Sequence, residues 1–111
     1  MDSIAKLQKV LHLRMYGNPD DYYEESVWKE EINAICADLP AAIRFILSDC
    51  SDEEFQWLSE VFDDVMEKTR SADFLNCIRR RVRRVKDDVR RAELLEDLKT
   101  AEEYIDVSAK E

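Results

Sequence analysis

The sequence predicts an all-α fold of about six antiparallel helices, arranged as an irregular bundle or as a short stack of α-hairpins. Apolar residues recur at spacings of three and four along almost the whole chain, which is the period of amphipathic helices. The 111 residues include only one glycine and two prolines, too few for the tight turns of a β-rich protein. The predicted loops are short, so consecutive helices should be antiparallel neighbours. This length predicts one domain, covering residues 1–111.

The first half of the chain predicts three helices. The first begins near Ser3 and ends at Gly17, because glycine can cap a helix and Pro19 cannot continue it. The second runs from about residue 21 to Leu39. The third begins at Pro40, since proline is compatible with the first turn of a helix.

The second half predicts three more helices. Ser51 and Glu54 have the spacing of a capping box, and the long fourth helix that they open has an apolar face from Phe55 to Met66. Ser71 is the predicted cap of the fifth helix, and an aspartate at 87–88 opens the sixth. The core-facing residues of the sixth helix are predicted to be Leu94, Leu95, Leu98, Ala101 and Ile105. A hairpin stack built from such helices would be HEAT-like and short.

Composition argues against most catalytic and cofactor chemistry. A single glycine cannot build a glycine-rich phosphate loop, and a single histidine, His12, cannot supply the ligands of a three-histidine zinc site. The recurrent acidic pairs are adjacent on helices, so their side chains point about 100° apart and do not converge. We therefore expect no enzyme, no metal site and no cofactor, with His12 at the edge of an apolar face.

The cysteines and the first residues predict a cytoplasmic protein. Cys36, Cys50 and Cys77 are odd in number and form no CxxC motif, which favours reduced thiols that serve packing. The opening residues lack the basic and apolar segments of a signal peptide, and no apolar run is long enough for a membrane span.

A net charge of −9 favours basic partners, and two acidic aromatic patches are candidate protein-binding surfaces. On a continuous fourth helix Trp57 points about 120° from the core stripe and shares a row with three acids. The row consists of Glu53, Trp57, Glu60 and Asp64. The second patch is Tyr22 and Tyr23, flanked by acidic pairs. In the alternative interpretation Trp57 packs under another helix and the tyrosines close the core.

Between Arg79 and Arg91 the chain carries eight basic residues and two acidic ones, a local charge of +6. On the fifth helix Arg79, Arg80, Arg83 and Arg84 should face away from the core, and we call them the arginine ridge. The ridge can pair with acids of neighbouring helices or of a second copy, or bind an acidic protein. Nucleic-acid binding is a further alternative, disfavoured because the rest of the chain is strongly acidic.

The stretch from about Cys50 to Asp106 resembles small helical immunity-type proteins encoded beside bacterial secreted toxins. The resemblance lies in the run from Ser51 to Phe62 and in the segment from Leu95 to Leu98. It implies a cytoplasmic protein without catalysis that blocks a toxin by occupying its active cleft or a neighbouring surface. No binding residue is carried over from the resemblance, because it includes no specific motif.

Overall fold

Seven α-helices and no strand are present in the part of the chain that the computed structural model describes, residues 2–18 and 24–110. They are α1 (Ser3–Tyr16), α2 (Glu24–Ala37), α3 (Leu39–Ser48), α4 (Asp52–Ser59), α5 (Phe62–Thr69), α6 (Ala72–Val82) and α7 (Asp88–Lys110). The all-α prediction is confirmed. Among these described helices, none combines the length and the apolar character that a bilayer crossing requires.

The predicted caps are present at several helix starts. The Glu54 backbone N–H donates to Ser51 Oγ at 3.0 Å, and the Ser51 N–H donates to Glu54 Oε1 at 2.8 Å, which completes the capping box of α4. Ser71 caps α6 in the same way by accepting from the Phe74 N–H. Pro40 lies in the first turn of α3, as predicted.

The second helix is shorter than predicted. It ends at Ala37, because Asp38 leaves the helical conformation and its side chain caps α3 by accepting from the Ala41 N–H at 3.1 Å. Leu39 therefore belongs to α3. The predicted start near residue 21 lies outside the described residues.

The prediction of one long fourth helix is wrong. The chain turns at Glu60 and Val61, where the Val61 N–H bonds the Leu58 carbonyl at 3.0 Å in the tighter spacing of a 3₁₀ turn. A new helix, α5, begins at Phe62 without a side-chain cap. On either side of this turn, α4 packs on α1 and α7, and α5 packs on α2 and α7.

Gly17 ends α1, as predicted, but for a different reason. Its φ of −76° is open to any residue, so no left-handed conformation is involved. A Cβ at this position would lie 2.4 Å from the Leu13 carbonyl oxygen, which accepts from the Gly17 N–H at 2.7 Å. Glycine is needed here for the close approach of two backbone segments.

The helices form an irregular bundle. The packed pairs include α1 with α4, α3 with α6, and α4 with α7, whereas a linear stack of hairpins would contact mainly its sequence neighbours. Phe62 lies at the centre of the core, with its ring 5.4 Å from Phe55 and 6.2 Å from Phe74. All seven helices contribute to this one core.

One core prediction for the last helix is wrong. Leu94, Leu98 and Ala101 are buried as expected, but Leu95 is 43% exposed because it lies about 100° around the helix from Leu94. Val85 is buried but follows the end of α6 at Val82. The predicted position of the Ile105 side chain lies outside the described part of the structure.

Candidate binding surface

Arg14 is a buried cation at the junction of α1, α2 and α4. It follows Leu7 and Val10 at helical spacing, so the last turn of α1 directs its side chain towards the core. Nη1 donates to Glu31 Oε1 at 2.6 Å, and Nη2 donates to Glu60 Oε2. One guanidinium thus joins two carboxylates from α2 and from the turn after α4.

Two indole rings flank this guanidinium. The Arg14 Cζ atom lies 4.9 Å from the centre of the Trp28 ring and 5.1 Å from that of Trp57. Both distances are within the range of cation–π attraction. We call Arg14, Trp28, Glu31, Trp57 and Glu60 the Arg14 cluster.

Three of the four predicted surface residues on α4 and α5 meet at the Arg14 cluster. Trp57 is half-buried against Arg14, and Glu60 pairs with it. Asp64 accepts from Trp28 Nε1 at 3.1 Å, so it joins the cluster through the second indole. Glu53 is exposed in the first turn of α4 and is not part of the cluster.

The alternative interpretation of Trp57 describes its contacts best, since it packs beneath α1. The second predicted patch, Tyr22 and Tyr23, lies outside the described residues.

Sequence reasoning missed Arg14 and Glu31. Glu31 is fully buried, and burial raises the pKa of its carboxyl group while the hydrogen bond and charge of Arg14 oppose that rise. Its second oxygen, Oε2, has no hydrogen-bond partner. The available signal was spacing, because Glu31 lies four residues after Val27 and four before Ile35 on the buried face of α2.

Carboxylates from α5 and α7 gather on one side of the bundle. We call Asp63, Glu67, Asp97 and Glu103 the α5–α7 acidic face. Burial and the charges of Asp97, Asp64 and Glu103 raise the pKa of Asp63. Burial also raises the pKa of Asp97, with Glu93 and Glu96 adding to it and a hydrogen bond from Ser59 opposing it. Among the described residues, none of the four carboxylates of the acidic face is in an ion pair.

The arginine ridge is partly committed to contacts within the chain. Arg79 Nη2 lies 3.0 Å from Glu102 Oε2 of α7, and Arg84 donates to the Leu47 carbonyl of α3. Arg80 and Arg83 are exposed. Two arginines of the ridge therefore link α6 to α7 and α3. The guanidinium groups of Arg80 and Arg83 face solvent.

Arg81 lies beside the ridge but is buried. It is on the core side of α6, three residues after Ile78, and its Nη2 donates to the Cys50 carbonyl at 3.1 Å and to Asp52 Oδ1 at 2.7 Å. Its guanidinium also lies 5.3 Å from the centre of the Phe55 ring. Arg81 fastens the start of α4 to α6, and its proximity to Ile78 in sequence was the available signal.

The remaining candidate groups are placed in structural or exposed settings. The three cysteines are free thiols, and burial raises the pKa of Cys50 and raises that of Cys77 to about 12. His12 is exposed and lies against the ring of Tyr16. Within residues 2–18 and 24–110, no three histidine, cysteine or acidic side chains cluster as metal ligands would.

Comparisons of the chain with protein-family models, with curated proteins and with solved structures found no significant match. The function is therefore inferred from the residues and contacts of this chain.

Proposed function

We propose that this chain is a non-catalytic binding module for a basic protein and that the partner contacts the α5–α7 acidic face. The chain carries a net charge of −9, which accelerates the encounter with a cationic protein at low salt. The α5–α7 acidic face is the surface on which we expect this attraction to act. Asp63, Glu67 and Glu103 lie together there without a cation of their own chain beside them among the described residues.

The observation that carries the proposal is that carboxylates from α5 and α7 lie close together, without an ion pair at Asp63, Glu67 or Glu103 among the described residues. The nearby charges of Asp97 and Glu103 add to burial in raising the pKa of Asp63. Keeping these groups ionised together at neutral pH opposes folding, and a basic partner would relieve the repulsion by neutralising them. The repulsion between carboxylates that destabilises the free protein would be reduced in the complex. This reduction would make the free energy of binding more favourable.

The more specific form of the proposal is an immunity-type or antitoxin-like inhibitor of a basic effector. The resemblance of the stretch from Cys50 to Asp106 supports this form. The acidic face contains Asp63, Glu67 and Asp97, all within that stretch. Inhibition would follow from covering the effector's active cleft or a surface beside it, without any chemical step on this chain.

The test begins with identification of the partner by crosslinking in the source cell, followed by binding measurements with the two purified proteins. Glu103→Lys should weaken the complex about tenfold or more, because it places a cation within the face. Asp49→Lys is the matched control. Asp49 is also exposed but lies at the end of α3, so this variant should bind within about twofold of the wild type.

Two findings decide whether the proposal holds: the charge of the partner's surface and the salt dependence of its affinity. The proposal requires a partner with a basic surface whose affinity falls between about 50 mM and about 300 mM NaCl. It is overturned if crosslinking yields no basic protein, or if the two lysine variants bind equally well. Titration with duplex DNA and RNA at the same two salt concentrations tests the nucleic-acid alternative, which requires a steep loss of affinity with salt and sensitivity to Arg80→Glu and Arg83→Glu.

A further inference from the structure

An open groove of about 530 Å³ lies between α2 and α5, next to the Arg14 cluster. It is lined by Glu25, Trp28, Lys29, Ile32 and Asp64. Trp28 and Ile32 provide an indole and an aliphatic surface, and Asp64 provides a carboxylate beside the indole. An apolar wall next to one charged group suits a long side chain with a charged end.

One carboxylate in this groove has no ion-pair partner among the described residues. Lys29 Nζ lies 3.4 Å from Glu25 Oε1, so these two charges offset each other. Further along the groove, Lys68 donates to Asn33 Oδ1 at 3.4 Å. Asp64 is half-buried and in no ion pair among the described residues, and it accepts a hydrogen bond from Trp28 Nε1 at 3.1 Å. The groove is therefore complementary to one added positive charge.

The contacts of Arg14 show which kind of cation an indole and a carboxylate of this chain hold together. Arg14 lies against the Trp28 ring at 4.9 Å while a carboxylate, Glu60, binds its guanidinium. An indole on α2 and a carboxylate in the turn after α4 are therefore already used to hold a guanidinium. A guanidinium is planar, stacks on aromatic rings and is weakly hydrated, so it suits such a setting better than an ammonium group does.

We propose that the groove binds an arginine side chain of the basic partner, with the guanidinium on Asp64 and the aliphatic stem against Trp28 and Ile32. This inference rests on the proposed function, which it extends by naming one contact. The partner's main body would cover the α5–α7 acidic face, and one of its arginines would enter the adjoining groove.

The test uses N-acetylarginine amide as the probe on the full chain, at constant ionic strength. Binding is followed by the NMR signal of the Trp28 indole N–H, which Trp57→Phe distinguishes from the signal of the second indole. N-acetylcitrulline amide is the control ligand, because it keeps the shape of arginine and lacks its charge. We expect a saturable shift of the Trp28 signal with the arginine probe and an affinity about tenfold lower for the citrulline probe.

Two aspartate-to-asparagine variants supply the matched comparison. Asp64→Asn removes the charge but keeps an oxygen that can accept from Trp28 Nε1, and it should weaken the arginine probe about fivefold or more. Asp49→Asn removes the same charge at the end of α3, outside the groove lining and outside the α5–α7 acidic face, and should leave the affinity within about twofold. The proposal is wrong if both probes bind alike, if the Trp28 signal does not move, or if the two variants weaken binding equally. If Asp64→Asn does not fold, the comparison of the two probes on the wild type decides alone.

Failure of this contact and failure of the proposed function give different results. If the partner's affinity depends on Glu103 and the Trp28 signal ignores arginine, the groove is excluded and the binding module stands. If the arginine probe binds and no basic partner exists, the groove binds arginine and the proposed function is wrong.

Discussion

Arg14 and Glu31 form an ion pair inside the bundle, with Nη1 2.6 Å from Oε1 and neither side chain more than 4% exposed. Removing one partner of such a pair leaves an uncompensated buried charge, which is strongly destabilising. Replacing both by apolar side chains removes the problem. This asymmetry makes the pair a sharp test of the packing between α1 and α2.

Arg14→Met should lower the free energy of unfolding by about 3–5 kcal/mol, and Arg14→Met with Glu31→Leu should recover most of that loss. Urea denaturation of both variants measures the difference. Arg79→Met is the matched control, because the Arg79 and Glu102 side chains are 40% and 34% exposed, and its effect should stay below about 1 kcal/mol. Equal losses in the single and double variants at Arg14 would contradict the buried pair.

Trp57→Leu should destabilise the free protein by about 1–2 kcal/mol, since it keeps an apolar side chain but removes the ring that lies 5.1 Å from the Arg14 guanidinium. The measurement is a denaturation curve without any partner. In Arg14→Met the same substitution should have a smaller effect, because the cation is already absent. An unchanged effect in that background would show that the ring acts only through its size.

Asp52→Asn should destabilise the protein at neutral pH. Burial alone raises the pKa of Asp52, but hydrogen bonds from Arg81 and from the Lys86 N–H outweigh it, so the pKa is lowered below 3.8 in the folded state. A carboxyl group with a lowered pKa contributes stability above its ordinary value, and this contribution is lost as the pH falls through the lowered value. The difference between variant and wild type should therefore shrink in acid; a difference constant with pH would contradict the assignment.

Asp63→Asn should have the opposite sign. Burial and neighbouring acids raise the pKa of Asp63 above 3.8, so its ionisation becomes unfavourable to the fold as the pH rises through that raised value. At neutral pH the variant should be more stable than the wild type, by about 0.5 kcal/mol for one relieved like-charge contact. The gain in stability should vanish below pH 3.8, where the wild-type aspartate is protonated and therefore as neutral as the asparagine. A loss of stability at neutral pH would argue against repulsion within the acidic face.

Gly17→Ala should destabilise the protein by about 1–3 kcal/mol, because the added Cβ would meet the Leu13 carbonyl oxygen at 2.4 Å. The φ of −76° would otherwise suit alanine, and the unfolded chain would favour it by up to about 1 kcal/mol. Thermal denaturation decides between the two effects. A more stable variant would show that the end of α1 has space for the added Cβ.

The residues that could be predicted from sequence are those whose role depends on near neighbours in the chain. The capping box of Ser51 and Glu54, the Ser71 cap and the position of Pro40 each follow from contacts within one helical turn. Helical periodicity likewise predicted the all-α class and the burial of Leu94, Leu98 and Ala101. The break at Glu60 could not be read in this way, because the apolar spacing continues through it and the turn is stabilised by packing on other helices.

Local patterning by itself determined that this protein is helical, acidic and poor in the residues that phosphate loops and metal sites need, since these properties require no knowledge of distant contacts. Only the tertiary structure decided that Trp57 and Glu60 contact Arg14, and that Asp63 and Glu103 lie near each other without an ion pair among the described residues. The physical reason is that an ion pair, a stacked ring or a repulsion between carboxylates depends on distance in space. Residues 14 and 60 become neighbours only when the helices pack.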